Sequence, residues 1–182
     1  MKKVVTILLA LFLSACASSP YQYYVNPTPI KKQQTAYKFD NIDVNLTLGH
    51  GAIPGDEVFA DEKELEKQFM KYLEASLSKK GLLDKNGDDA LDVSVTIDYK
   101  RTFNIGGKAL NKPEVSHRVV IHNDKEELAG FSKSKYTTKY GYLDDIAVNI
   151  EISAFSWDQD DEPRDIELIS QLIVEDLVNA GL

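Results

Sequence analysis

The chain has 182 residues, one cysteine and a formal net charge of -8, with 21 basic against 29 acidic side chains. That acidity excludes nucleic acid as the main partner, because phosphate binding needs basic surface, and a single cysteine excludes an internal disulfide framework. With 43% hydrophobic residues, the chain has the apolar content of one folded domain stabilised by its own core.

The chain opens on Lys2-Lys3, an apolar run from Val4 to Leu13, and small residues before Cys16, which is the three-part layout of a secretory signal. The run is too short to span a bilayer, which takes about 20 apolar residues. Leu13-Ser14-Ala15-Cys16 resembles the lipobox of bacterial lipoproteins. The resemblance implies cleavage before Cys16, acylation of its sulfur and of the new amino group, and attachment to a membrane through this one residue. Two or more acyl chains anchor stably, each buried CH₂ contributing roughly 0.8 kcal/mol. Loss of residues 1–15 removes Lys2 and Lys3 and leaves a mature charge of -10. Ala17-Ser18 lacks the Asp after the cysteine that resembles an inner-membrane retention signal, so the resemblance implies the outer membrane, facing the periplasm.

Residues 16–37 are rich in Ser, Pro, Gln and Tyr without helical or strand periodicity. They read as a lipidated tether ahead of a single domain over residues 38–182. A flexible coil of about 20 residues gives a mean stand-off of roughly 25 Å, and about 60 Å when extended. Tyr21, Tyr23 and Tyr24 suit a lipid interface or a strand that docks on a partner, beside the plain reading of an unordered tether.

Ile42, Val44, Leu46 and Leu48 alternate with polar residues and predict a strand over residues 39–48. Gly49-His50-Gly51 and Pro54-Gly55 make the following segment a loop, and it lacks the Gly-Lys-Ser/Thr ending of a phosphate cradle. Asp61 and Glu64 have capping-box spacing; Leu65, Phe69, Tyr72, Leu73, Ser76 and Leu77 then share one helical face until Gly81. Residues 84–89 are calcium-loop-like in composition, but Asp89 and Val95 stand where an EF-hand needs Gly and Glu, so a polar turn is expected. Leu91, Val93, Val95, Ile97 and Tyr99 alternate strictly with polar residues as a second strand.

Gly106-Gly107 marks a turn, and Val115, His117, Val119 and Ile121 begin a strand whose hairpin partner covers residues 128–138. Lys133, Lys135 and Lys139 share parity there, forming a basic stripe that suits either an anionic ligand or a guard against edge-to-edge pairing. Ile146, Val148, Ile150 and Ile152 alternate as a strand would, and the same stretch also admits a helix. Asp158, Asp160, Asp161, Glu162 and Asp165 surround Pro163, as acids and proline do in the first turn of a helix, with a cation site or a hydrolytic pair as alternatives. Ile166, Ile169, Ile173, Leu177 and Ala180 complete a terminal amphipathic helix.

His117 and His122 have opposite strand parity and do not converge on one face. No nucleophile elbow, metalloprotease motif or free thiol beyond Cys16 is present. No catalytic residue, metal or cofactor is therefore expected. The order strand, helix, three strands, helix, with one further strand possible near residue 150, predicts an α+β two-layer sandwich. Its sheet is expected to be mainly antiparallel, with four or five strands and two helices on one face. In layout the chain resembles small periplasm-facing lipoproteins, such as the lipopolysaccharide-assembly lipoproteins and the auxiliary lipoproteins of lipid-transport systems. That resemblance implies an accessory or assembly subunit partnered by envelope proteins; the alternative is a binding module for a small anionic or lipidic ligand.

Overall fold

The computed structural model describes residues 19–53, 58–87, 89–104 and 109–182. The lipobox with Cys16, Pro54-Gly55, Asp88 and the Gly106-Gly107 turn lie outside the described residues. The elements in chain order are β1 (Gln22–Tyr23), β2 (Tyr37–Leu48), α1 (Glu62–Lys79), β3 (Leu91–Arg101), β4 (Glu114–His122), β5 (Glu127–Tyr136), α2 (Tyr142–Ser153) and α3 (Glu162–Val178). The five strands form one sheet in the order β1-β5-β4-β3-β2. The α+β two-layer sandwich holds.

The sheet is mixed: β1 with β5, β5 with β4, and β4 with β3 are antiparallel, whereas β2 lies parallel to β3. A parallel neighbour needs a crossover, and α1 supplies it. The Asp61 carboxylate caps that helix by accepting from the Glu64 N–H at 2.8 Å, and Gly81, at a φ of 72°, ends it. In β2 the register slips between Phe39 and Asn41, so Asp40 is an extra residue that reverses the parity. This bulge is why Tyr37 faces the core in company with Ile42 and Val44 despite an odd spacing.

One face of the sheet carries Val44, Val93, Val95, Ile97, Val115, Val119, Ile121 and Phe131, all buried. Against it lie Leu65, Phe69, Leu73 and Leu77 of α1 and Ile166, Ile169, Ile173 and Leu177 of α3, in a single apolar cluster. Each such side chain stabilises the fold by about 1.5–3 kcal/mol through burial. The opposite face is polar, with Asn45 donating to Asp98 at 3.0 Å and Asp40 beside His122 at 3.0 Å.

Three expectations change. The stretch 146–152 is the helix α2, because its alternation is equally two i,i+4 pairs, Ile146 with Ile150 and Val148 with Ile152, on opposite sides of a helix. Asp144 and Asp145 in its first turn complement the helix dipole, and Asn149 donates to Asp145 one turn back at 3.0 Å. Among the described residues there are accordingly three helices rather than two.

Residues 19–37 are not a tether. β1 pairs with Ala129 and Gly130 of β5, the Tyr21 hydroxyl donates to the Asp176 carbonyl at 2.9 Å, and Ile30 is fully buried in the main core. Gly181, at a φ of 108°, passes so close to this segment that a Cβ there would lie 2.6 Å from the Ile30 carbonyl oxygen. The Tyr23 hydroxyl accepts from the Gly181 N–H at 2.8 Å. Polar composition hid this packing, since only a few side chains in the segment carry it. Replacing Ile30→Ala should lower unfolding free energy by about 2–4 kcal/mol in chemical denaturation, whereas a tether position would leave it unchanged.

Candidate functional site

Arg101, at the end of β3, is buried against the first turn of α3. Its Nε donates to Glu162 Oε1 at 2.6 Å and one terminal nitrogen to Oε2 at 2.8 Å. The same nitrogen donates to the Ala60 carbonyl ahead of α1 at 2.8 Å, and the Tyr99 hydroxyl donates to Glu162 Oε1 at 3.1 Å. Burial pushes the Glu162 carboxyl up, against the pull of Arg101. One turn later Asp165 accepts from Thr138 at 2.5 Å, from the Tyr140 hydroxyl at 2.8 Å and from the Trp157 indole at 3.3 Å. Burial raises the Asp165 carboxyl as well, with those donors opposing.

Both carboxylates are enclosed and fully engaged, so they clamp α3 and present no reactive oxygen to solvent. The acidic cluster thus divides: Glu162 and Asp165 are internal, while Asp160 lies at the surface. Among the described residues no group of three or more acidic, histidine or cysteine side chains is placed to hold a metal ion.

The clamp seats α2. Val148, fully buried, and Ile152 pack with Phe59, Phe103, Leu110 and Trp157 in a small cluster separate from the main core. Lys112 pairs with Asp145 at 2.6 Å, and Arg164 reaches Glu151 at 3.4 Å while lying 4.5 Å from the Trp157 ring centre. Everything opposite this narrow contact faces outward. Leu143 is 76% exposed, Ile146 46% and Ile150 63%, with Tyr142 at 83% before them and Phe155 at 58% after.

The helix therefore shows solvent a broader apolar stripe than it buries, the reverse of an ordinary surface helix. It ends in a Schellman closure, Phe155 N–H to Ile152 O at 3.1 Å and Ser156 N–H to Glu151 O at 3.0 Å. Phe155 occupies the left-handed position at a φ of 60°, where glycine is usual and a larger residue costs about 1–2 kcal/mol. That strained turn holds an aromatic ring at the end of the exposed stripe.

The lysine stripe comes apart. Lys133 lies in β5 opposite His117 and reaches Asp176 of α3 at 3.9 Å. Lys135, at a φ of 50°, breaks the alternation, and Lys139 lies beyond the strand end. Lys133 and Lys139 nevertheless line one cleft of about 430 Å³ between β5 and α3, with Tyr136, Leu168, Leu172 and Glu175. Lys135 is not among its lining residues. β1 pairs with Ala129 and Gly130 and the Tyr24 N–H donates to the Leu128 carbonyl at 2.9 Å. Among the described residues no strand pairs with this edge of β5 beyond Gly130, where Lys133 and Lys135 also oppose edge pairing.

His117 and His122 point to opposite sheet faces, as their parity requires. His117 is buried with Nδ1 2.7 Å from the Tyr136 hydroxyl, and burial, aided by Lys133, lowers its pKa to about 4. His122 shares the polar face with Asp40 and Ser94. Among the described residues no helix is long and apolar enough to cross a membrane.

The exposed stripe of α2 was open to sequence reasoning through the spacing Leu143, Ile146, Ala147, Ile150; the strand-like alternation of the same residues masked it. No protein-family profile matches the chain, and no curated protein matches it. Among solved structures it is similar to one described as "Crystal structure of uncharacterized protein", 14% identical over 75% of this chain and 94% of that one. The TM-score is 0.26, too low for the likeness to bear on fold or function.

The clamp has a measurable signature. Glu162→Gln leaves a buried guanidinium without its counter-charge and should cost about 3–5 kcal/mol in denaturant unfolding. The joint change Arg101→Met with Glu162→Leu, which removes both charges, should cost less than that single one.

Proposed function

We propose that this protein is a membrane-anchored, non-enzymatic lipoprotein, an accessory or assembly subunit of a cell-envelope complex. Acylated Cys16 would hold it at the outer membrane, facing the periplasm, and an envelope protein would be its partner. The observation that carries this reading is the exposed apolar stripe of α2, a surface of the kind that marks an interaction site. The lipobox resemblance supplies the address.

Anchoring at Cys16 gives a short reach. Tyr21, docked against Phe131 at a ring distance of 5.5 Å, is five residues from Cys16, which an extended chain spans in at most about 18 Å. The domain then lies close to the lipid surface, not on a long stalk. Cross-linking intact cells and purifying the protein beside a Cys16→Ser form tests the reading. The expected outcome is a discrete set of envelope proteins recovered only with the lipidated form, which alone sediments with membranes. Equal recovery of those proteins with both forms, or of nothing but the protein itself, would sink it.

A second reading, an envelope binding module for a small anionic or lipidic ligand, is favoured by the cleft where Lys133 and Lys139 flank Leu168 and Leu172. A ligand at 100 times its dissociation constant should add about 2.7 kcal/mol of stability. Thermal unfolding with a phospholipid and lipopolysaccharide panel should show that gain, lost on Lys139→Glu; no shift with any member rejects the reading.

A further inference from the structure

The exposed stripe of α2 is compatible in principle with three coverings: a bilayer, a second copy of the chain, or a different protein. We propose that Leu143, Ile146 and Ile150 dock into an apolar groove on a partner protein whose rim carries Lys and Arg. This rests on the accessory-subunit reading and specifies the chemistry of its partner.

The first support is charge. From Tyr142 to Ser153 the helix holds Asp144, Asp145 and Glu151 and no basic residue. Asp144 and Glu151 lie along one side of the apolar stripe by helical position, Asn149 and Ser153 along the other, and Asp145 on the side that packs inward beside Lys112. Lys112 and Arg164 pair with Asp145 and Glu151, but Asp144 is exposed with no ion-pair partner among the described residues.

An acidic border opposes an anionic headgroup layer, and interfacial helices that lie on membranes carry Lys and Arg on the polar side. The same border repels its own image, so two copies meeting stripe to stripe would set acid against acid. Basic residues around an apolar groove satisfy both parts of the surface.

The second support is position. Tyr21 touches the Asp176 carbonyl near the end of α3, whereas α2 is tied to Arg164 near its start. Those points are separated by most of a 17-residue helix, about 25 Å long. Tyr21, five residues from Cys16, thus docks at one end of α3 and the stripe is displayed at the other.

The test is photo-cross-linking in intact cells, using the full chain with a benzophenone side chain in place of Ile146 or Ile150. The expected result is one discrete protein adduct whose cross-linked peptide is apolar with neighbouring Lys or Arg. Leu143→Asp and, separately, Asp144→Lys should each reduce it about tenfold or more. Leu143→Asp, at an exposed position, should leave the melting temperature of the purified protein unchanged. Asp144→Lys, which gives up a favourable first-turn charge, should lower it by no more than about 2–4 °C, which separates loss of docking from loss of fold. An adduct between two copies, adducts to lipid alone, an adduct indifferent to Asp144→Lys, or none at all would overturn the proposal. Recovery of envelope proteins with the lipidated form, set beside membrane sedimentation of the Cys16→Ser form, reports on the accessory-subunit reading by itself, so loss of the adduct with that recovery intact overturns the docking proposal alone.

Discussion

The buried pair of Arg101 and Glu162 sits where three parts of the chain must meet: the end of β3, the approach to α1 and the start of α3. Its bidentate contact at 2.6 and 2.8 Å leaves little freedom in the angle at which α3 enters. Desolvating two such groups is expensive, and the cost is offset only because further hydrogen bonds from Tyr99 and to Ala60 complete the set. Asp165, one turn on, extends the constraint to Thr138, Tyr140 and Trp157.

From that constraint follows the odd position of α2. Trp157, fixed by Asp165, forms the wall on which Val148 and Ile152 rest. The cluster is small and separate from the main core, so it can cover only one side of the helix. The other side keeps Leu143, Ile146 and Ile150 in water, at an energetic disadvantage of the order that burial of each would recover, about 1.5–3 kcal/mol. The strained left-handed Phe155 at its end adds to that disadvantage, as residues at sites of interaction often do.

At the far end of α3 the constraint is of another kind. Residues 19–37 wrap the helix terminus through main-chain contacts, among them Gln33 N–H to Val178 O at 2.8 Å and Leu182 N–H to Ile30 O at 3.2 Å. The N-terminal segment and the C-terminus therefore close on each other, and the two-residue strand β1 is held more by these contacts than by its own ladder. α3 is a strut with a polar clamp at one end and a wrapped terminus at the other.

The amino-acid sequence by itself determined the elements whose periodicity is unambiguous: the strict alternation of Leu91 to Tyr99, the capped helix from Asp61 to Gly81 and the terminal apolar stripe from Ile166. Local geometry alone decides those, since a period of two or of 3.6 sends the apolar side chains to one face. Opposite faces for His117 and His122 followed from the same rule. What only the tertiary structure decided has a common physical reason, namely that the deciding contact is distant in the chain. Ile146 to Ile152 fits a strand and a helix equally, until Trp157 and Phe103 receive Val148. The polar segment 19–37 reads as a tether, until Tyr21 and Ile30 find α3 more than a hundred residues later. Glu162 and Asp165 read as first-turn acids, and it is Arg101, Thr138 and Tyr140, brought in by the fold, that turn them into the clamp.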